Sequence, residues 1–370
     1  MSLSDPSTWS RFFLLSISKT LDTILWTTKW RSLLPETLNE IPIIGWPSYP
    51  RMTYYSEVDG GIWEFLQTPN TTISCLTSVI NLTVTLPLLV FVIRKFKSFF
   101  IPRMSSIGRK LAADTHGREW VAKNEVKMLK FGEYCFRFLY HSSMSLYAIY
   151  FFWDAPWVWD TKQLWFEYFS YPVTVSLSWY TLLQCAYNVD AFVYLVEISC
   201  VFKSGYPFIS WSPTCRGDFN EMAAHHLVTN ALVITSSYFR ITRSGGMVLI
   251  LHDLSDVPVD LSKLANFLKW KATTIACFAL MLLLWIICRL VLFPFYIIWS
   301  VQVEGTVIRD LYGMPEDMYL LYNRWFVIGL SFLVLLHCVW FSMFVKMGWI
   351  LISKGETHDL SEHKKGEKQS

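Results

Sequence analysis

The sequence predicts an all-α, polytopic membrane protein: about seven transmembrane helices bundled around a cavity within the membrane. Three observations carry that prediction. Of 370 residues, 53% are hydrophobic and only 16% are charged, which excludes a disordered chain and argues for several spans. Trp and Tyr number 18 each, the amphipathic rings that line membrane–water interfaces. Apolar runs recur at a length near the roughly 20 residues a helix needs to cross the hydrocarbon.

Taken in order, residues 1–72 read as a lumenal and interfacial region. Arg11 precedes the short apolar run "FFLLSIS", which has no small-residue cleavage site, so residues 11–26 are expected as an amphipathic interface helix with Lys19 and Asp22 facing water. Spans are expected at about 73–93, 134–153, 168–188, 222–240, 245–261, 272–298 and 325–345. A basic loop at 94–124 follows the first span, and a polar tail at 351–370, with phosphorylatable Thr357 and Ser361, is expected to be disordered.

Basic residues orient the bundle. Arg94, Lys95, Lys97, Arg103, Arg109 and Lys110 place the first loop in the cytosol, which by alternation puts the N-terminus in the lumen and the Lys-rich tail in the cytosol. The sequon "NTT" at Asn70 then falls on the lumenal side as a glycosylation site, while "NLT" at Asn81 lies inside the first apolar run. Arg240 and Arg243 depart from the pattern, at a lumenal edge, where they either snorkel to headgroups or approach an anionic ligand group. The eight cysteines are scattered without metal spacing and read as small apolar residues. A net charge of +3 gives no reason to expect nucleic acid.

The chemistry concentrates in the fourth and fifth spans. "MAAHHLVTNALVITSSYF" carries His225, His226, Thr229 and Asn230, and "LHDLSD" carries His252, Asp253, Ser255 and Asp256. An ionisable group at mid-bilayer is costly unless it is paired or faces a cavity, so such groups are functional candidates. Adjacent histidines point about 100° apart on a helix, so two roles are expected of them. Asp253 and Asp256, three apart, share a face and can reach one partner. A carboxylate that accepts an imidazole N–H fixes its tautomer and leaves the other nitrogen as base or nucleophile. Neighbouring histidines lack the i, i+4 spacing with which two imidazoles grip one ion, so no metal is expected.

Residues 216–267 resemble the Lag1 motif of the ceramide synthases, within the TLC (TRAM, Lag1, CLN8) domain. The match runs through Arg216, Asp218, Phe219, Met222, His225, His226 and Thr229, then Arg243, Gly245, His252, Asp253, Ser255, Asp256 and Lys263. "KFGEYCFRFLYH" at 130–141, "WYTLLQCAYNVD" at 179–190 and "CRLVLFPF" at 288–295 are also similar to the family, so the catalytic TLC domain is expected over 125–350. Arg240 stands where asparagine is expected, and the stretch 94–133 is too short for the homeobox-like domain of many animal members.

The resemblance implies an enzyme of the endoplasmic reticulum membrane that moves a fatty acyl group from acyl-CoA to the amine of a long-chain sphingoid base. It implies no cofactor beyond acyl-CoA as co-substrate, contact with membrane lipids, no nucleic acid, and a homo- or heterodimer as a further partner the sequence allows. His225, His226, Asp253 and Asp256 are the expected catalytic set. Arg216, Asp218, Thr229, Asn230, Arg243, His252 and Ser255 are the expected substrate contacts, and Arg216 and Lys203 the expected partners of the CoA phosphates. A histidine acts either as general base on the ammonium or as a nucleophile forming an acyl-imidazole. The alternatives are a non-enzymatic TLC-domain protein, lipid-sensing or translocon-associated, and a transporter using His and Asp as a proton relay, although no internal repeat is seen. The lumenal stretch 301–323 is expected to influence acyl-chain length by closing one end of the cavity.

Overall fold

The computed structural model describes residues 84–165, 174–202, 209–211, 217–238, 241–306 and 316–354. The expected interface helix, both sequons, Lys203, Arg216, Arg240 and the tail beyond 354 lie outside them. Among the described residues the fold is helical apart from one short hairpin, Cys200–Phe202 (β1) paired antiparallel with Ile209–Trp211 (β2).

α1 runs Leu86–His116, with proline at its first turn where no amide partner is lost. It therefore continues through most of the segment expected as a basic loop. Residues 94–116 are rich in good helix formers. Their charges also find partners on α5 (Val175–Ser199): Lys97 Nζ lies 2.7 Å from Asp190, and Arg94 pairs with Glu197. The helix stops at Gly117, whose φ of +92° a side chain would disfavour. α2 (Arg118–Lys123) and α3 (Glu125–Phe152) follow.

After α3 come a single turn, α4 (Pro156–Trp159), and a 3₁₀ turn, Thr161–Leu164. α5 is capped by Thr174, whose hydroxyl accepts from Leu177 N at 3.2 Å. Then come α6 (Phe219–Tyr238), α7 (Thr242–Phe267) and α8 (Lys271–Leu284). α8 continues without a break into π-helical turns over Trp285–Ile298 and Ser300–Glu304, and α9 spans Glu316–Lys354. Such wide turns are rare and recur at functional sites.

α7 is the centre of the bundle, packing on α3, α5, α6, α8 and the π-helical segment. Its inward residues include Ser244, Gly246, Ser255, Ser262 and Ala265, small enough for neighbouring backbones to approach. At the α1–α3 crossing the approach is closer still: a Cβ on Gly132 would sit 2.5 Å from the Ile101 carbonyl oxygen. Phe293, Ile297, Leu333, Tyr180 and Trp165 complete a fully buried core.

Two helical stretches among the described residues are long and apolar enough to cross a membrane, Lys271–Glu304 and Tyr319–Ser353. Only 28% and 33% of their most apolar windows are buried, so most of that surface needs an apolar surrounding. On α9 the outward side chains recur every seven residues, Leu321, Ile328 and Leu335 being 64–75% exposed. α1 and α3 also turn large apolar side chains outward, among them Leu88, Phe91, Leu146 and Tyr150. Of the six cysteines described, Cys185, Cys277 and Cys288 are buried as expected of small apolar residues, whereas Cys338 is exposed on α9.

Candidate active site in the helix bundle

A cavity of about 320 Å³ lies between α1, α3, α5, α6, α7, α8 and α9. His225 and His226 of α6 line it, as do His252, Asp253 and Asp256 of α7, and Asp218 just before α6. Around these polar groups the wall turns apolar through Phe278, Met281, Trp340, Phe344, Met347 and Leu351. Charged side chains, Lys97, Glu133, Arg137 and Lys263, occupy part of the remaining wall. A second, small cavity of about 40 Å³, lined almost wholly by apolar side chains such as Leu232, Val233 and Phe326, shares Thr229, Val248 and Leu333 with the first.

The imidazoles form one cluster. The His225 ring lies 5.5 Å from that of His226, 6.4 Å from His252 and 6.3 Å from His337, with the Trp340 ring edge-on at 5.3 Å. His225 Nδ1 is buried and has no hydrogen-bond partner among the described residues. His252 Nδ1 donates to the Val248 carbonyl at 2.6 Å, so in the neutral ring its Nε2 is an acceptor; His337 Nε2 lies 3.2 Å from it and 3.4 Å from Arg289 Nη1, which can only donate. Of these rings His252 is held at a defined tautomer, because a backbone carbonyl of its own helix takes the Nδ1 proton.

The carboxylates of α7 do not meet on one partner. Asp256 accepts from Arg289 Nη2 at 2.6 Å, and the same guanidinium donates through Nε to Ser255 Oγ at 2.7 Å and through Nη2 to the His252 carbonyl at 3.1 Å. Arg289 also stacks over Trp285 at 4.2 Å. Asp253 instead accepts from the Tyr180 hydroxyl at 3.1 Å and from Gln184 Nε2. A third acid, Asp260, completes an i, i+3, i+7 stripe on the same face and is held by Arg137 at 3.1 Å and His141 Nδ1 at 2.8 Å. Among the described residues, then, the carboxylate-to-imidazole hydrogen bond is made by Asp260 and His141 rather than by Asp253 or Asp256.

Of the other expected substrate contacts, Thr229 lines the cavity, while Ser255 is fully buried beneath Arg289. Asn230 donates to the Asn188 carbonyl at 3.2 Å, off the cavity wall. Arg243 ties the start of α7 to the Gln163 carbonyl at 2.8 Å, remote from the imidazoles. Among the described residues no three His, Cys, Asp or Glu side chains converge as a metal site.

Arg289, His337, His141, Arg137 and Asp260 were not singled out from the sequence. The signal was present: each of the first three is a lone ionisable residue in an apolar run, and Asp260 extends the spacing of Asp253 and Asp256 by one more turn.

Residues 130–346 match the family described as the TLC domain (TRAM, LAG1, CLN8), more than half of the chain. The chain belongs to the TLC domain family. Within it the chain is similar to ceramide synthase LOH1 of Arabidopsis thaliana, 28% identical over 61% of this chain and 69% of that protein. It is similar also to ceramide synthase hyl-2 of Caenorhabditis elegans, 27% identical over 71% of this chain and 76% of that one. Human ceramide synthase 5 is 28% identical over 62% of this chain, which spans about half of its length, 53%. The Lag1 resemblance read from residues 216–267 therefore stands, and membership of this family, with two helices able to span, is consistent with a membrane protein.

Proposed function

We propose that the protein is a ceramide synthase: an acyl-CoA-dependent acyltransferase that joins a fatty acyl group to the amine of a long-chain sphingoid base. One observation supports this reading above the others. A single cavity carries a cluster of histidines on one wall and runs on into apolar surface wide enough in extent for an acyl tail. His225 and His226 are the proposed acyl-handling pair, with Asp253, Asp256 and His252 beside them, and Asp218 and Thr229 on the rim of the substrate space. The small apolar cavity beyond Thr229 gives the tail somewhere to continue.

Amide formation from a thioester meets one obstacle, since an ammonium has no lone pair with which to attack. A histidine removes it either by accepting the ammonium's proton or by taking the acyl group itself. Asn230, Arg243 and Ser255 support the walls rather than touch substrate, and Arg216, with Lys203, is kept as a candidate for the CoA phosphates. In the same reading α1, α3, α5, α6 and α7 join the two long apolar helices in a seven-span bundle of the endoplasmic reticulum membrane. Its N-terminus is lumenal, Asn70 glycosylated and its C-terminus cytosolic.

Expression in a host lacking its own ceramide synthesis, with products profiled by mass spectrometry, tests the reading. The wild type is expected to restore ceramide. His225→Ala, His226→Ala and the double variant are each expected to lose acyl transfer by about 10²- to 10⁴-fold at equal protein level. Undiminished turnover in the double variant would overturn the mechanism.

A further inference from the structure

The imidazoles described above occupy the wall made by α6, α7 and α9. Across the cavity, α3 presents a different one. His141 lines the same space, and its only ring neighbours among the described residues are Tyr140 and Tyr187, at 5.8 and 5.6 Å. Its Nδ1 lies 2.8 Å from Asp260, which is wholly buried and also meets Arg137. A carboxylate that accepts from Nδ1 keeps a proton there, so in the neutral ring Nε2 holds the lone pair. No hydrogen bond among the described residues engages that Nε2.

We propose that His141, oriented by Asp260, is a further catalytic residue: the base that takes the proton of the incoming ammonium on the wall opposite His225. This rests on the acyltransferase reading and deepens it, giving the acyl group and the amine separate histidines. The acids of α7 support the assignment. Among the described residues Asp256 pairs with Arg289 and Asp260 with Arg137, Lys263 lines the same cavity, and Asp253 is held by the uncharged Tyr180 and Gln184. Asp253 and Asp256 line the cavity beside His141, so an incoming primary ammonium meets carboxyl oxygens that can accept its N–H groups. The titratable groups facing His141 are Glu133, Arg137 and Tyr140 of its own helix, Tyr180 and Tyr187 of α5, and the three aspartates and Lys263 of α7.

In the step, neutral His141 accepts one proton from R–NH₃⁺ and becomes imidazolium, stabilised by Asp260. The freed amine attacks the acyl carbonyl, forming the C–N bond. The second nitrogen proton passes to the departing sulfur, or to the departing imidazole if the acyl group rests on a histidine, as that bond breaks. His141 then returns its proton to solvent.

The test uses the full-length protein in lipid nanodiscs, with palmitoyl-CoA and sphinganine as probes. His141→Gln keeps an N–H donor to Asp260 but no basic nitrogen, and equal thermal stability verifies that it folds. It is expected to lose about 10²-fold or more in amide formation at neutral pH. The KM for palmitoyl-CoA is expected to be unchanged. The loss is expected to shrink as pH rises and with a sphinganine analogue whose amine is made less basic by a neighbouring fluorine. A loss equal at every pH and for both amines would mark a merely structural role and overturn the proposal. A wild type that forms amide beside a His141→Gln variant of equal rate would overturn it alone. A wild type that forms no amide would sink the acyltransferase reading with it.

Discussion

α7 and α9 are both long helices of one bundle, and they meet opposite demands. α9 turns Leu321, Ile328, Leu335 and Ile352 outward, and its length and hydropathy qualify it as a span. α7 buries Asp253, Ser255 and Asp260, carries Pro258 in its interior, and lacks a stretch as long and as apolar as the two candidate spans. The difference teaches that hydropathy measures what a helix shows to lipid. A helix shielded by its neighbours on several sides is free to carry acids, provided each acid is given a partner.

The partners of α7 offer the strongest way to break that contrast. Arg289→Leu strands Asp256 in the cavity wall and removes the donor to Ser255, so the folded protein is expected to lose about 3–5 kcal/mol, read as thermal unfolding in detergent. Pairing it with Asp256→Leu removes the stranded charge as well and is expected to recover much of the loss. If the double variant is no better than the single, the pair matters through its hydrogen bonds rather than its charge.

A smaller effect is expected at the α1–α3 crossing, where Gly132→Ala must push against the Ile101 carbonyl; overpacking of this kind costs about 1–3 kcal/mol. Smallest of all, Leu335→Ala and Ile352→Ala on the outward face of α9 are expected to change stability by no more than about 0.5 kcal/mol. A large loss there would mean that this face meets another protein surface, and sedimentation in detergent would reveal the companion.

Much of this architecture was legible in the residues. Apolar runs at 134–153, 222–240, 272–298 and 325–345 each fall within or largely on an observed helix, because an amide in hydrocarbon has no partner but its own helix. The helical form of the basic segment was not legible, because Lys97 and Arg94 reach acids on α5 that are distant in sequence, while Lys95, Arg103, Arg109 and Lys110 stay exposed as basic side chains are expected to be. His225, His226, His252, Asp253 and Asp256 were visible as a group because they are close in sequence. Arg289, His337 and His141 were not, since they lie on three different segments and only the packing brings Arg289 to His337 and His141 to Asp260.

The three aspartates of α7 are each gripped from a different direction: Asp253 by α5, Asp256 by the π-helical segment, Asp260 by α3. The central helix therefore works as a spindle with independent spokes. Altering one flank removes the partner of one acid and leaves the hydrogen bonds of the other two in place, so one side of the chamber can change without the whole interior being rebuilt at once.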